Sequence, residues 1–221
     1  MAIIETHAIV LKSDKYRETS KILTLFTQTH GKIRCIAKGV RKTNTRWGGC
    51  LQSMAYLNVF YYYKENRTLH LLSNAEYVET YNNLQSDNEK LTLVYQIAEL
   101  VNRSTFENHE VSEIFHLLVE TLKYLNFATK NYVNVLFKFE ISLAGLLGFA
   151  IDNRHENLNK GTMSGLITQL KNGNFSDITE FNILRSDSKK LEELLLLYYM
   201  EHVENSGIFK TKKLNHRSDY R

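Results

Sequence analysis

The first eighty positions of this chain read as short β-rich runs between polar turns, and beyond them the apolar positions take the period of a helix. Ile3 to Leu11 and Ser20 to Thr27 are β-rich runs, the second ended by a turn at His30-Gly31. Lys32 to Lys38 alternates cleanly, with Ile33, Cys35 and Ala37 on one face and Lys32, Arg34, Ile36 and Lys38 on the other. Gly39 to Gly49 reads as a polar loop. Met54 to Tyr63 is a long aromatic strand, and Thr68 to Asn74 a shorter one after the turn Glu65-Asn66-Arg67. Five short strands with turn signals at this spacing predict a small closed barrel. The OB-fold has that strand number, and an SH3-like barrel fits the count almost as well.

After Tyr81-Asn82-Asn83 the apolar positions step by three and four. Leu93, Val94, Ile97, Leu100 and Val101 form one stripe, and Val111, Ile114, Phe115, Leu118, Leu122 and Leu125 a second. The clearest runs through Tyr132, Val135, Leu136, Phe139, Leu143, Leu146 and Leu147. Shorter helices are expected at Met163–Lys171 and Ser188–Val203. The spacing therefore predicts an α+β multidomain chain, with a five-stranded barrel domain over 1–80 and an α-helical domain over 81–221. With no proline in the sequence, Gly, Asn and Ser clusters mark the loops.

Charge sharpens the division. The chain has a formal net charge of +4, unevenly spread. Residues 1–80 hold 12 Lys+Arg against 6 Asp+Glu, and residues 81–206 hold 11 against 17. The tail from Gly207 to Arg221 is basic again, 5 against 1. A basic head points to polyanion binding there. Lys32, Arg34 and Lys38 are expected to draw one positive line across a barrel wall, and the loop beyond adds Arg41, Lys42 and Arg46. Trp47 in that loop is a candidate for stacking on unpaired bases. Tyr56, Phe60 and Tyr62 share one side of their strand and Tyr61 and Tyr63 the other, so at least half should be barrel core.

Signs of catalysis are few. Gly48-Gly49 and Gly145 with Gly148 lack the spacing and the Lys-Ser/Thr ending of a phosphate loop, and no GxSxG, HExxH or calcium-loop pattern occurs. Cys35 and Cys50 could form one disulfide, but a pair of reduced thiols is favoured, with Cys35 on the inward register of its strand. No stretch approaches the ~18 apolar residues of a membrane span, and the N-terminus lacks the pattern of a secretory signal. A cytoplasmic protein with no membrane partner and no cofactor is expected.

Several blocks then carry a resemblance. Tyr16-Arg17-Glu18-Thr19-Ser20-Lys21-Ile22-Leu23-Thr24-Leu25-Phe26-Thr27, followed by His30-Gly31-Lys32, is similar to the opening signature of the RecO family of DNA repair proteins. Ala37-Lys38-Gly39-Val40-Arg41-Lys42 and Gly48-Gly49-Cys50-Leu51-Gln52 resemble its next segments. More loosely, Leu143-Ala144-Gly145-Leu146-Leu147-Gly148-Phe149 resembles the helix end before the family's metal-binding insert. The resemblance implies an N-terminal OB-fold, a helical C-terminal domain and a nucleoid-associated recombination mediator, not an enzyme. Such proteins bind single- and double-stranded DNA, anneal complementary strands, work with RecR, engage the acidic tail of single-strand-binding protein, and help load RecA. A generic OB-fold RNA-binding or translation-associated module is the alternative.

One departure stands out. Many members carry two CxxC pairs after the Leu-Gly helix end, whereas Ala150 to Thr162 contains no cysteine. No zinc is expected, and the structure of 150–162 stays open. For the acidic partner tail, an apolar slot flanked by cations is needed. Lys123, Lys130 and Lys138 beside Tyr124, Phe127 and Tyr132 offer one within the acidic middle of the chain.

Overall fold

The computed structural model describes residues 2–42, 47–65, 67–151 and 162–203. Five strands come first: β1 (Ala2–Tyr16), β2 (Ser20–Thr27), β3 (Gly31–Ala37), β4 (Tyr56–Tyr63) and β5 (His70–Glu79). β1 pairs with β2 and with β4, β2 with β3, and β4 with β5, all antiparallel, while β3 and β5 run parallel. The sheet thus closes in the order β1-β2-β3-β5-β4, a five-stranded OB-fold barrel. Period-two alternation supplies its interior. Ala8, Val10, Leu23, Leu25, Ile33, Cys35, Leu57, Val59, Tyr61 and Leu72 all point inward and are buried.

The outer wall is only partly wet. Ile9 and Phe26 face away from the barrel interior yet are 0% exposed. They lie opposite each other across β1 and β2, and Ile9 also pairs with Tyr56. Phe115 covers this patch, with ring centroids 6.4 Å from Phe26 and 6.2 Å from Tyr56. Two glycines make close approaches possible. Gly31 has φ +59°, and a Cβ there would stand 1.9 Å from the His109 carbonyl oxygen. A Cβ on Gly48 would stand 2.0 Å from the carbonyl oxygen of Val40.

Seven helices follow among the described residues: α1 (Asn82–Ser86), α2 (Asn88–Ser104), α3 (Ser112–Phe127), α4 (Val133–Leu146), α5 (Thr162–Asn172), α6 (Phe175–Ile178) and α7 (Arg185–His202). Two compact units result, and the chain passes between them more than once. One comprises Met1–Asn82 with Val94–Val119, the other Asn83–Leu93 with Glu120–Arg221. The segment Val94–Val119, Phe115 included, thus belongs with the barrel. In the second unit α4 is central, with α5, α6 and α7 packed against it. Val135, Leu136, Phe137, Phe139, Ile141 and Leu143 are all buried, and so are the polar Asn134, Lys138 and Glu140, so burial extends around most of this helix rather than along one apolar stripe. Its polar Asn134 donates to the carbonyls of Ile178 and Phe181, both at 2.8 Å, and Tyr199 donates to the Glu140 carbonyl at 2.7 Å. Buried donors are satisfied in this way.

Candidate nucleic-acid interface

β3 carries the basic residues, and its alternation decides which of them reach water. Arg34 and Lys38 are exposed on the outer face. Four residues of extended chain place them roughly 13 Å apart. Arg41 and Lys42, in the following loop, are exposed as well. Arg41 fixes the loop: its backbone N–H donates to the Thr19 carbonyl at 2.9 Å, and its guanidinium to the Arg17 carbonyl at 3.0 Å. Both acceptors belong to the turn between β1 and β2. The cations beyond β3 are thereby gathered beside that turn, where Arg17 adds another charge. Lys21 is drawn off, donating to the Leu51 carbonyl at 2.8 Å, and burial lowers its pKa.

Lys32 does not share this surface. It shares the outward register with Arg34, but it is only 9% exposed. Its ammonium donates to the carbonyl oxygens of Asn102 and Thr105, each at 2.5 Å. Those acceptors lie at the C-terminal end of α2, where helix carbonyls lack intrahelical partners and the dipole favours a cation. Burial lowers the Lys32 pKa, and Glu107 partly opposes that. The expected positive line therefore starts at Arg34, and Lys32 closes a helix instead.

Trp47 is half-buried and packs against the barrel core. Arg46 lies outside the described residues. Of the aromatic strand, Tyr61 is fully buried in the barrel, and Tyr56 is engaged by Phe115 and by His7 at 5.6 Å. Tyr62 is half-buried on the outer face. Sequence reasoning passed over Arg17, which sits at φ 50° in a turn without glycine. A non-glycine residue held in the left-handed region is a conformational signal that sequence alone does not carry.

The residues expected to hold an acidic tail are divided by their partners. Lys123 and Phe127 are exposed, one helical turn apart on α3. Lys130 pairs with Glu180 at 2.5 Å. Tyr124 stacks on Phe175 at 5.2 Å, and the Tyr132 hydroxyl donates to Glu89. Lys138 is 9% exposed; its ammonium donates to the carbonyls of Leu170 and Lys171, both at 3.3 Å, and lies over the Phe175 ring. It caps the end of α5.

Both cysteines of the chain, Cys35 and Cys50, are free and buried in the barrel, and burial raises the Cys35 thiol to about 12. A four-thiolate zinc site does not fit these residues. Of the segment 150–162, residues 152–161 lie outside the described residues. No group of His, Cys, Asp and Glu able to hold a metal occurs among the described residues. Likewise, none of their helices is long and apolar enough to cross a membrane.

A closed OB barrel with cations around one turn, followed by helices, defines an OB-fold protein of the α+β class. Family comparison narrows this. Residues 1–81 match the model of the recombination protein O N terminal, and residues 85–160 that of the recombination protein O C terminal. The chain belongs to the RecO family. It is 38% identical over 149 residues to the DNA repair protein RecO of Salinibacter ruber, covering 67% of this chain and 57% of that one. The DNA repair protein RecO of Chlorobium luteolum is 34% identical over 148 residues, covering 67% and 56%. That of Prosthecochloris aestuarii is 33% identical over 147 residues, covering 66% and 56%. The matched stretch thus spans rather more than half the length of these relatives.

Proposed function

We propose that this chain serves DNA repair and homologous recombination by binding DNA, without catalytic turnover, through the basic end of its barrel. One observation carries the reading: Arg34, Lys38, Arg41 and Lys42 stand exposed on and beyond β3, with the loop tied to the β1–β2 turn. Cations held on a rigid strand and a clipped loop neutralise phosphates at fixed spacing, and phosphate contact supplies most sequence-independent affinity. Arg46 and the half-buried Trp47 are proposed to join this set. Both single- and double-stranded DNA present that backbone, so both should bind.

The wider role follows from the family. The chain anneals complementary strands and acts with RecR to help load RecA on DNA coated by single-strand-binding protein. The barrel unit, which includes Val94–Val119, takes DNA, and the helical unit takes the protein tail. That tail is acidic and ends in a carboxylate, so it suits Lys123, Phe127 and Lys130. The Lys130–Glu180 pair is exposed, and such pairs contribute little and exchange readily. Tyr124, Tyr132 and Lys138 are instead engaged by Phe175, Glu89 and the end of α5. Annealing of complementary oligonucleotides by the purified chain tests the function; no acceleration over the spontaneous rate would refute it.

A further inference from the structure

The β1–β2 turn and the end of β3 enclose an open cleft whose walls differ in chemistry. Tyr16, Arg17 and Glu18 form one side, and Ile36, Lys38 and Lys42 line the other. Tyr16 is half-buried, and the Arg17 guanidinium stands over its ring, 5.3 Å from the centroid. Ile36 is half-buried on the outer wall, and the apolar floor it provides continues sideways. It lies opposite Ile22 on β2 and Leu71 on β5, and both are half-buried too. An aromatic ring, an apolar floor and three cations thus meet in one depression of a barrel whose neighbouring surface is basic.

We propose that this cleft is a subsite for one unpaired nucleotide of a DNA strand, and the assignment rests on the DNA-binding reading above. The base lies against Tyr16 and Ile36, and the phosphates on either side of it meet Arg17, Lys38 and Lys42. Only an unpaired base can offer its face to such a floor, because in a duplex both faces are stacked. Glu18 supports the same choice. At the rim it repels a phosphate but accepts a hydrogen bond from an N–H on the base edge, a donor that pairing would occupy. Arg34 and Lys38 meet backbone in either form of DNA; Tyr16 meets only a free base.

The test compares full-length chain on labelled oligothymidylate and on a labelled duplex of equal length, by fluorescence anisotropy across a salt series. Tyr16→Leu should weaken single-strand binding about tenfold, within the range of one lost stacking contact. Duplex binding should change less than about twofold. Tyr16→Phe keeps the ring and should keep the affinity. Arg17→Gly removes a cation at a backbone position that glycine adopts freely, so the turn keeps its shape. It should lower the single-strand salt slope by about 0.7 and the duplex slope by less. Circular dichroism checks that each variant is folded; should Tyr16→Leu fail to fold, Arg17→Gly decides alone. Equal losses on both DNAs, or no loss on either, would overturn the subsite while leaving the basic interface standing. A wild-type chain that binds neither DNA would remove the interface and the subsite together.

Discussion

The ammonium of Lys32 ends 2.5 Å from the carbonyl oxygen of Thr105, seventy-three positions away. A cation on the same strand face as Arg34 is thereby taken out of the positive surface and made part of a helix terminus. Lys32→Met keeps the apolar stem but leaves two carbonyls without their donor, and should destabilise by about 1–3 kcal/mol. Its DNA salt slope should stay at the wild-type value. Arg34→Ala should do the reverse, lowering the slope by about one phosphate contact with little change in melting temperature. Chemical denaturation and salt titration of both variants check the pair, and a lowered slope in Lys32→Met would contradict the assignment.

This relationship also shows where sequence reading stops. Alternation located β2 and β3 almost to the residue, because one face of each is fully buried in the barrel. β1 runs on past Leu11 to Tyr16, and β5 past Asn74 to Glu79. The β1 extension is mostly polar and little buried, and the β5 extension is largely exposed beyond the buried Ala75, so pairing across each hairpin carries most of them. What covers the outer face of a strand is set by residues far along the chain. Phe26 under Phe115, and Lys32 under the end of α2, carry no local mark. The long stripe of α4 was legible as helix, but its burial around most of its circumference was not, since that depends on α5, α6 and α7.

Gly31 is expected to be intolerant. It needs a positive φ and leaves no room for a Cβ beside His109. Gly31→Ala should cost about 2–4 kcal/mol, since strain and steric clash add. A two-state urea titration reads this directly, and a loss under about 0.5 kcal/mol would mean that the His109 backbone yields.

Acid should loosen the barrel through His70. Its side chain is 3% exposed, its Nδ1 has no hydrogen-bond partner, and its ring stacks on Tyr63 at 5.2 Å. Burial first, then His30 and Arg67, hold its pKa below the usual histidine value of 6.5. The unfolded chain therefore takes up the proton before the folded one does. Stability is fully present above about pH 6.5 and falls as pH drops toward the lowered folded value. His70→Leu should flatten the melting-temperature profile between pH 7 and 5, and an unaltered slope would assign that dependence to other groups.

The helical unit yields a binding prediction. A peptide with an acidic stretch, an apolar last residue and a free carboxylate should bind with micromolar affinity, on the order of −8 kcal/mol. Lys130→Glu should weaken it, and Lys123→Glu likewise, whereas Lys138 should not respond to added peptide because its ammonium caps α5. Titration calorimetry with each variant decides; binding indifferent to Lys123 and Lys130 would move the site elsewhere.

The DNA binding proposed above depends on phosphate contact by the exposed cations on and beyond β3. It is tested most directly by the salt dependence of DNA affinity in the folded triple variant Arg34→Ala, Lys38→Ala, Arg41→Ala. Weaker binding at low salt is expected, with a slope of log affinity against log salt flatter by about three phosphate contacts, each worth about 0.7 to 0.9. Affinity and slope that both match the wild type would contradict it.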